Sequence, residues 1–270
     1  MKFALIGGDG RILELERQLK NDGHDVAEFA LGGGDTLAWV LKDADCIVLP
    51  LPAFRADELN APMSIEKYGK DYIIKSLPEG VLIVGGMTDG EIDDYYKSER
   101  LLRKNAAITA QCAVMMLQNE LKTSADEWRV LILGYGRIGK CLCRILSAMG
   151  ADVTAAARRD ETVSEIRDFG VKGEKITDVL TRLGEYTVII NTVPAQIIDD
   201  TSLERAQKGA YIMELASAPY GFNADTAKKL GINTIFAPGL PGKMMPKSAA
   251  RAIKEAIYEI LEEKQWKNSK

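Results

Sequence analysis

The sequence predicts an α/β protein made of two doubly wound parallel-sheet domains with a cleft between them. Three observations predict it. Short apolar runs alternate with amphipathic segments in two separate series, a polar stretch divides the series, and 270 residues give room for two domains. In the first series Phe3–Ile6, Asp25–Phe29, Cys46–Pro50 and Val81–Val84 read as strands, each bounded by Gly, Pro, Asn or Asp. Between them Arg11–Lys20 and Ile65–Leu77 carry apolar residues at helical spacing, which makes a βαβ succession. Asn105–Leu121 follows as one long helix with Ile108, Cys112, Met115 and Met116 on a single face.

The polar stretch Lys122-Thr123-Ser124-Ala125-Asp126-Glu127 is the best boundary in the chain. Beyond it Arg129–Leu133, Asp152–Ala157, Thr187–Asn191, Tyr211–Leu215 and Asn233–Ala237 read as strands, with helices between them. A last helix, Lys247–Leu261, places Ile253, Ala256, Ile257, Ile260 and Leu261 on one face. The expected domains are 1–122 plus 244–270, a substrate domain, and 123–243, a cofactor domain. Ligands of such sheets bind at the carboxyl ends of the strands.

Composition narrows the function classes. A hydrophobic fraction of 46% and a charged fraction of 27% are those of a folded globular chain. No apolar run approaches the ~20 residues of a membrane-spanning helix, and the opening Met1–Gly8 does not read as a signal peptide. Four irregularly spaced cysteines argue against a disulfide framework and for the cytoplasm. A net charge of -4 speaks against broad nucleic-acid binding. The single histidine, His24, excludes a multi-histidine metal site and disfavours Ser-His-Asp chemistry. It precedes the second strand, at the end away from bound ligands, and reads as structural. Cys141 and Cys143 read as packing residues, because C-x-C alone closes no metal site.

The most informative stretch is Leu133-Gly134-Tyr135-Gly136-Arg137-Ile138-Gly139, a G-x-G-x-x-G that follows a buried-type strand and opens a helix at Lys140–Met149. Gly134 permits the tight turn, Gly136 lets the backbone approach a pyrophosphate, and Gly139 lets helix and sheet pack closely. The helix N-terminus adds N–H groups and a positive dipole end for phosphates. These features predict a Rossmann dinucleotide site. The next strand ends in Arg158-Arg159, where an NAD enzyme usually offers a carboxylate to the ribose. Two guanidinium groups there suit a 2′-phosphate, so NADP is preferred, with NAD as the alternative through Asp160. Thr192, Val193 and Pro194 should lie along the ribose and nicotinamide, and Ala216 and Ser217 near the nicotinamide amide or substrate. Thr109 and Gln111 are further candidates for substrate contact. The first domain has its own turn, Gly7-Gly8-Asp9-Gly10-Arg11, but Leu13 stands where a third glycine would be, so no second dinucleotide site is expected.

Several stretches together resemble the family of dipicolinate synthase A subunits from spore-forming bacteria. They are Ile6–Arg11, Gly134–Gly139, Ala157-Arg158, Asn191-Thr192-Val193-Pro194-Ala195, Glu214–Pro219, Ala237-Pro238-Gly239-Leu240-Pro241-Gly242 and Pro246–Ala249. The resemblance implies an oxidoreductase that makes dipicolinate, pyridine-2,6-dicarboxylate, from 4-hydroxy-tetrahydrodipicolinate or its dihydro form. It implies a flavoprotein-like B subunit as partner, the mother cell of a sporulating bacterium as location, and the architecture of D-2-hydroxyacid and alanine dehydrogenases. A homodimer is expected of that architecture. Two substrate carboxylates call for cations. Arg11, Arg55, Lys243 and Lys247 are the candidates, and Arg11, Arg55, Ser217 and Lys247 are the expected catalytic set. The rival readings are a non-catalytic cofactor-binding regulatory or scaffold protein, and a D-2-hydroxyacid or amino-acid dehydrogenase. The missing histidine in the carboxyl-terminal half disfavours the latter.

Overall fold

A computed structural model describes residues 1–33, 35–90 and 92–268, the side chains of 265–268 excepted. The chain forms two compact units, Met1–Asn105 with Pro241–Lys270, and Ala106–Leu240. The division falls inside the helix Glu99–Leu121 and not at the polar stretch 122–127. Within that helix Ala106, Ile108, Ala110, Cys112, Ala113, Val114 and Leu117 are all buried, and the polar stretch follows where the helix stops.

In the first unit the strands are β1 (Lys2–Ile6), β2 (Asp25–Phe29), β3 (Cys46–Val48), β4 (Phe54–Arg55), β5 (Glu58–Leu59), β6 (Leu82–Gly85) and β7 (Asp93–Asp94). The helices are α1 (Gly10–Asn21), α2 (Leu37–Leu41), α3 (Lys70–Ser76) and the start of α4 (Glu99–Leu121). The main sheet is parallel with order β2-β1-β3-β6-β7, while β4 and β5 form a small antiparallel hairpin. That is the doubly wound order 2-1-3-4-5. Both faces of β1 are buried, so it reads as an unbroken apolar run. Phe3 and Leu5 pack with Ile12, Leu15 and Leu19 of α1 on one face. Ala4 and Ile6 pack with Val40 and Ile73 on the other.

Two helices here depart from expectation. The Ile65–Leu77 pattern yields only Lys70–Ser76, because Gly69 starts the helix in an extended conformation and also bridges back to Glu58. The long helix starts at Glu99, ahead of Asn105, because the Ser98 hydroxyl accepts the Leu101 N–H at 3.3 Å and caps an earlier first turn.

The second unit continues with β8 (Arg129–Leu133), α5 (Arg137–Ala148), β9 (Asp152–Ala157), α6 (Asp160–Asp168), β10 (Lys172–Lys175), α7 (Ile176–Val179), β11 (Val188–Asn191), α8 (Asp200–Leu203), β12 (Tyr211–Glu214), α9 (Ala224–Lys229) and β13 (Asn233–Phe236). Its six strands are all parallel, in the order β10-β9-β8-β11-β12-β13. Numbered within the unit this is 3-2-1-4-5-6, the Rossmann order. Leu131, Leu133, Ile189 and Ile212 centre one core cluster. Strand β10, Lys-Gly-Glu-Lys, has no apolar pattern; charges suit a sheet edge. The chain then returns through α10 (Leu240–Met244) to α11 (Pro246–Asn268). In the first unit α11 places Ile253, Ala256 and Ile257 on the face already covered by α1.

Candidate functional site

The glycine motif folds as its spacing requires. Gly134, at the end of β8, has φ +97, a backbone conformation that L side chains rarely adopt, and its N–H donates to the Ala156 carbonyl at 2.9 Å. A Cβ there would lie 2.5 Å from Thr192 Oγ1 and 2.9 Å from Val193 Cγ2, so the absence of a side chain lets the loop after β11 close against the turn. Gly136 caps α5, which begins at Arg137, one turn before the expected Lys140. Gly139 therefore sits inside the first helical turn, where a Cβ would overlap the Gly134 carbonyl oxygen. Tyr135 is buried, with the Lys140 ammonium 5.2 Å from its ring centroid. Arg137 is exposed and Ile138 half-buried in the first turn.

The residues present fit a dinucleotide. A Cβ built on Gly136 has nothing within 4 Å, so this position opens a bare backbone beside the start of α5. The first bond of that helix runs from Lys140 N–H to the Gly136 carbonyl at 2.9 Å, and a helix start of this kind is where backbone N–H groups and the dipole favour a phosphate. Where β9 ends, Arg158 and Arg159 are both exposed. Among the described residues neither guanidinium has a protein partner. The nearby carboxylate of Asp160 is taken by Lys175 Nζ at 2.7 Å, and the same ammonium donates to the Arg158 carbonyl at 2.9 Å. Among the described residues, the end of β9 thus presents two unpaired guanidinium groups beside an aspartate held by a lysine.

The loops after β11 and β12 hold the other expected cofactor residues. Thr192 donates both its N–H, at 3.0 Å, and its hydroxyl, at 2.9 Å, to the Leu133 carbonyl, so the hydroxyl's hydrogen is turned toward β8. Val193 N–H donates to Asn191 Oδ1 at 3.0 Å, and Asn191 Nδ2 donates to the Val193 carbonyl at 3.0 Å. Pro194 is exposed. Ala216 is buried and its N–H donates to Glu214 Oε1 at 3.0 Å, while Ser217 beside it is exposed. Sequence reasoning missed the pair that organises both loops. Asn191 and Glu214 are register partners at the ends of adjacent strands, both 0% exposed, with Nδ2 donating to the two carboxylate oxygens at 2.9 and 3.0 Å. Gly221 N–H adds a 2.7 Å bond to Oε2. Burial pushes the Glu214 carboxyl above its ordinary range, and the Asn191, Gly221 and Ala216 donors pull the other way. The signal was a single polar residue closing each of two apolar runs.

In the first unit the candidate cations gather around the turn after β1. Asp9 caps α1 by accepting the Arg11 N–H at 3.0 Å. The Arg11 guanidinium donates to both Asp9 carboxylate oxygens, Nε at 2.9 Å and Nη2 at 2.8 Å, and Nη2 also reaches the Leu51 carbonyl at 2.5 Å. This leaves Nη1 without a protein partner among the described residues. Burial alone would raise the Asp9 carboxyl, but Arg11's bonds and charge, helped by Arg55, hold it below its ordinary value. Arg55 lies exposed on the β4–β5 hairpin. Gly242 packs on the Asp9–Arg11 pair: a Cβ there would come within 2.9 Å of Asp9 Oδ2 and 3.0 Å of Arg11 Nε. That packing explains the glycine of the Pro241-Gly242 step. Lys243 and Lys247 are exposed, and the Lys247 carbonyl accepts Gln18 Nε2 at 3.0 Å.

The remaining candidates stand elsewhere. His24 pairs Nε2 with Tyr258 Oη at 3.0 Å and packs on Phe3, at the amino end of β2 and away from the strands' carboxyl ends. Thr109 is buried and Gln111 exposed on α4. The four cysteines are free thiols, and no group of three or more metal-binding side chains occurs among the described residues.

Comparison with known proteins agrees with this geometry. Residues 2–102 match the N-terminal domain of the dipicolinate synthase A subunit, and residues 98–236 match the NAD binding domain of D-isomer specific 2-hydroxyacid dehydrogenases. The dipicolinate synthase A subunit of Bacillus subtilis is 26% identical over the whole of this chain and 99% of its own length. The crystal structure of dipicolinate synthase from that organism superposes with a TM-score of 0.83 at 25% identity, covering 99% of this chain and 97% of the other. The A subunit from Bacillus halodurans shares the fold with a TM-score of 0.83 at 24% identity, over 96% of this chain and 97% of that one. An L-alanine dehydrogenase shares it more distantly, with a TM-score of 0.63 at 14% identity over 97% and 89% of the two chains. With a Rossmann motif that folds as a dinucleotide site and matches along its whole length, the chain belongs to the family of dipicolinate synthase A subunits, residues 98–236 forming its 2-hydroxyacid-dehydrogenase-type NAD-binding domain, and it is a nicotinamide-dependent oxidoreductase.

Proposed function

We propose that this chain catalyses the oxidation that yields dipicolinate, with NADP as its cofactor. The full-length match to the Bacillus subtilis protein carries the substrate assignment, and the exposed guanidinium pair at the end of β9 supports the cofactor assignment. Loss of water from 4-hydroxy-tetrahydrodipicolinate gives the dihydro form; loss of one hydride and one proton from that gives the aromatic product. NADP, when bound, supplies the hydride acceptor. Aromatisation drives the step, so the chain needs no finely tuned base.

Each residue then has a limited task. Gly134–Gly139, with Tyr135, Arg137 and Ile138, shape the pyrophosphate turn, and Gly136 supplies the bare backbone. Arg158 and Arg159 bind the 2′-phosphate by charge-assisted bonds. Thr192, Val193, Pro194 and Ala216 line the ribose and nicotinamide, and Ser217 offers a hydroxyl to substrate. Arg11 directs its free Nη1 edge to one substrate carboxylate while Asp9 fixes the guanidinium plane, and Arg55 and Lys247 are the cations for the other. Residues 1–122 with 244–270 serve the substrate and 123–243 the cofactor. The chain works beside a flavoprotein-like B subunit, as a homodimer, in the mother cell of a sporulating bacterium.

The test is direct. Purified chain, with and without the B subunit, is given fresh 4-hydroxy-tetrahydrodipicolinate and NADP, and NADPH absorbance is followed together with dipicolinate. Both products should form in equal amounts. Neither product under either condition overturns the reading. Dissociation constants for NADP and NAD, and an Arg158→Ala variant, test the cofactor: undiminished NADP affinity in that variant refutes the guanidinium assignment.

A further inference from the structure

The carboxylate of Glu214 touches no solvent, yet it lies at the carboxyl end of β12, where the unit presents its ligand-facing loops. Every group bonded to it is a donor: Asn191 Nδ2, Ala216 N–H and Gly221 N–H. Through Asn191 it reaches further, because that amide also clasps both the N–H and the carbonyl of Val193. One buried side chain therefore ties the 191–193 loop to the 216–221 segment. Gly221 is held so close that a Cβ there would overlap Asn191 Nδ2 and lie 3.1 Å from Glu214 Oε2. Arg158, on the adenine side, makes no bond to this carboxylate.

We propose that Glu214 is a positioning residue for the nicotinamide half of the cofactor, acting through Asn191 on Val193 and directly on Ala216 and Gly221. This rests on the assignment of those loops to the nicotinamide side. A buried carboxylate suits the task because it accepts from all three donors at once in a fixed plane. Glutamine cannot replace it. Its amide nitrogen must face either the Ala216 or the Gly221 N–H, setting donor against donor and leaving one buried N–H unpaired.

The experiment compares two probes on wild type and Glu214→Gln: NADPH, and adenosine 2′,5′-diphosphate, which carries only the adenine side. NADPH affinity should fall by roughly tenfold or more, while the fragment's affinity stays within about twofold. Equal weakening of both probes in a variant that folds, or no change for either, overturns the proposal. Should Glu214→Gln not fold, Asn191→Ser removes the amide that joins the carboxylate to Val193, leaves the Ala216 and Gly221 bonds in place, and reads the same contrast. Unfolding of both variants assigns the network to stability alone and refutes positioning. A wild type that binds neither probe instead refutes the cofactor assignment on which the proposal stands.

Discussion

Gly136→Ala separates ligand chemistry from folding better than any other change in the motif. At φ -81 and ψ -163 the residue is in extended backbone that alanine adopts freely, and its Cβ would meet nothing within 4 Å. Two small effects on stability oppose each other. Alanine is a poorer N-cap than glycine by up to ~1 kcal/mol, while losing a glycine lowers unfolded-state entropy by ~0.4–1 kcal/mol. The melting temperature should therefore move by no more than about 3 °C. The methyl group, however, fills the open space beside the first turn of α5, and a phosphate there loses at least one backbone hydrogen bond. A bond to a charged group contributes ~1.5–3 kcal/mol, so the dissociation constant for NADPH should rise roughly 10- to 150-fold. Fluorescence titration and calorimetry on the same sample measure both numbers. Gly139→Ala is the contrast: its Cβ would overlap the Gly134 carbonyl oxygen and lie 3.1 Å from its carbon, so stability should drop by ~1–3 kcal/mol along with binding. If Gly136→Ala binds NADPH as tightly as wild type, the pyrophosphate does not lie on this turn and the reasoning fails.

Further expectations follow from the same structure. Asp9→Asn keeps the cap on α1 but removes the charge held by Arg11. Because the native carboxyl lies below its ordinary 3.8, wild type should be the more stable protein above that pH, and the gap should close as pH falls through the depressed value. Melting curves of both proteins across acid pH check the sign; a gap that widens on acidification refutes it. Gly221→Ala should cost ~1–3 kcal/mol in urea unfolding, since its Cβ would lie 2.8 Å from Asn191 Cγ inside a fully buried network. Burial, with the charge of Asp45 beside Cys46, pushes the Cys46 thiol up to about 12, and burial alone does the same for Cys143. Iodoacetamide on the native protein at neutral pH should therefore spare both and modify at most half-buried Cys141. Mass spectrometry showing Cys46 alkylated in the folded protein would count against the packing described for β3.

The parts of the molecule legible in the sequence are those whose causes are local. The G-x-G-x-x-G turn is read from three positions because they stand between a buried strand and a helix start: Gly139 answers a steric demand within the motif, Gly134 one set by the loop after β11, and Gly136 leaves bare backbone. Strands β8 and β9 come out to the residue, since buried parallel strands write near-continuous apolar runs, and β2 does so at a sheet edge through Val26, Ala27 and Phe29. The edge strands β7 and β10 leave no such trace: two aspartates and a Lys-Gly-Glu-Lys segment join their sheets without an apolar pattern. Arg11 was legible as a cation at a strand end, but not that Asp9 and the Leu51 carbonyl already occupy two of its nitrogens.

Asn191 and Glu214 mark the boundary between the two kinds of feature. Each stands alone at the end of an apolar run, separated from the other by a crossover, and nothing in either segment says that they touch. Their contact needs strand order and register together, β11 beside β12 with Asn191 opposite Glu214. Once the glycines imply the 3-2-1-4-5-6 order, that pairing becomes derivable, because the fourth and fifth strands are then neighbours whose ends carry one amide and one carboxylate. A charge left in such a position must find donors or be expelled, and this one finds three. A buried polar residue at the ligand end of a parallel strand is therefore informative in proportion to the desolvation it tolerates, and among the described residues Glu214 is a carboxylate with no exposed surface.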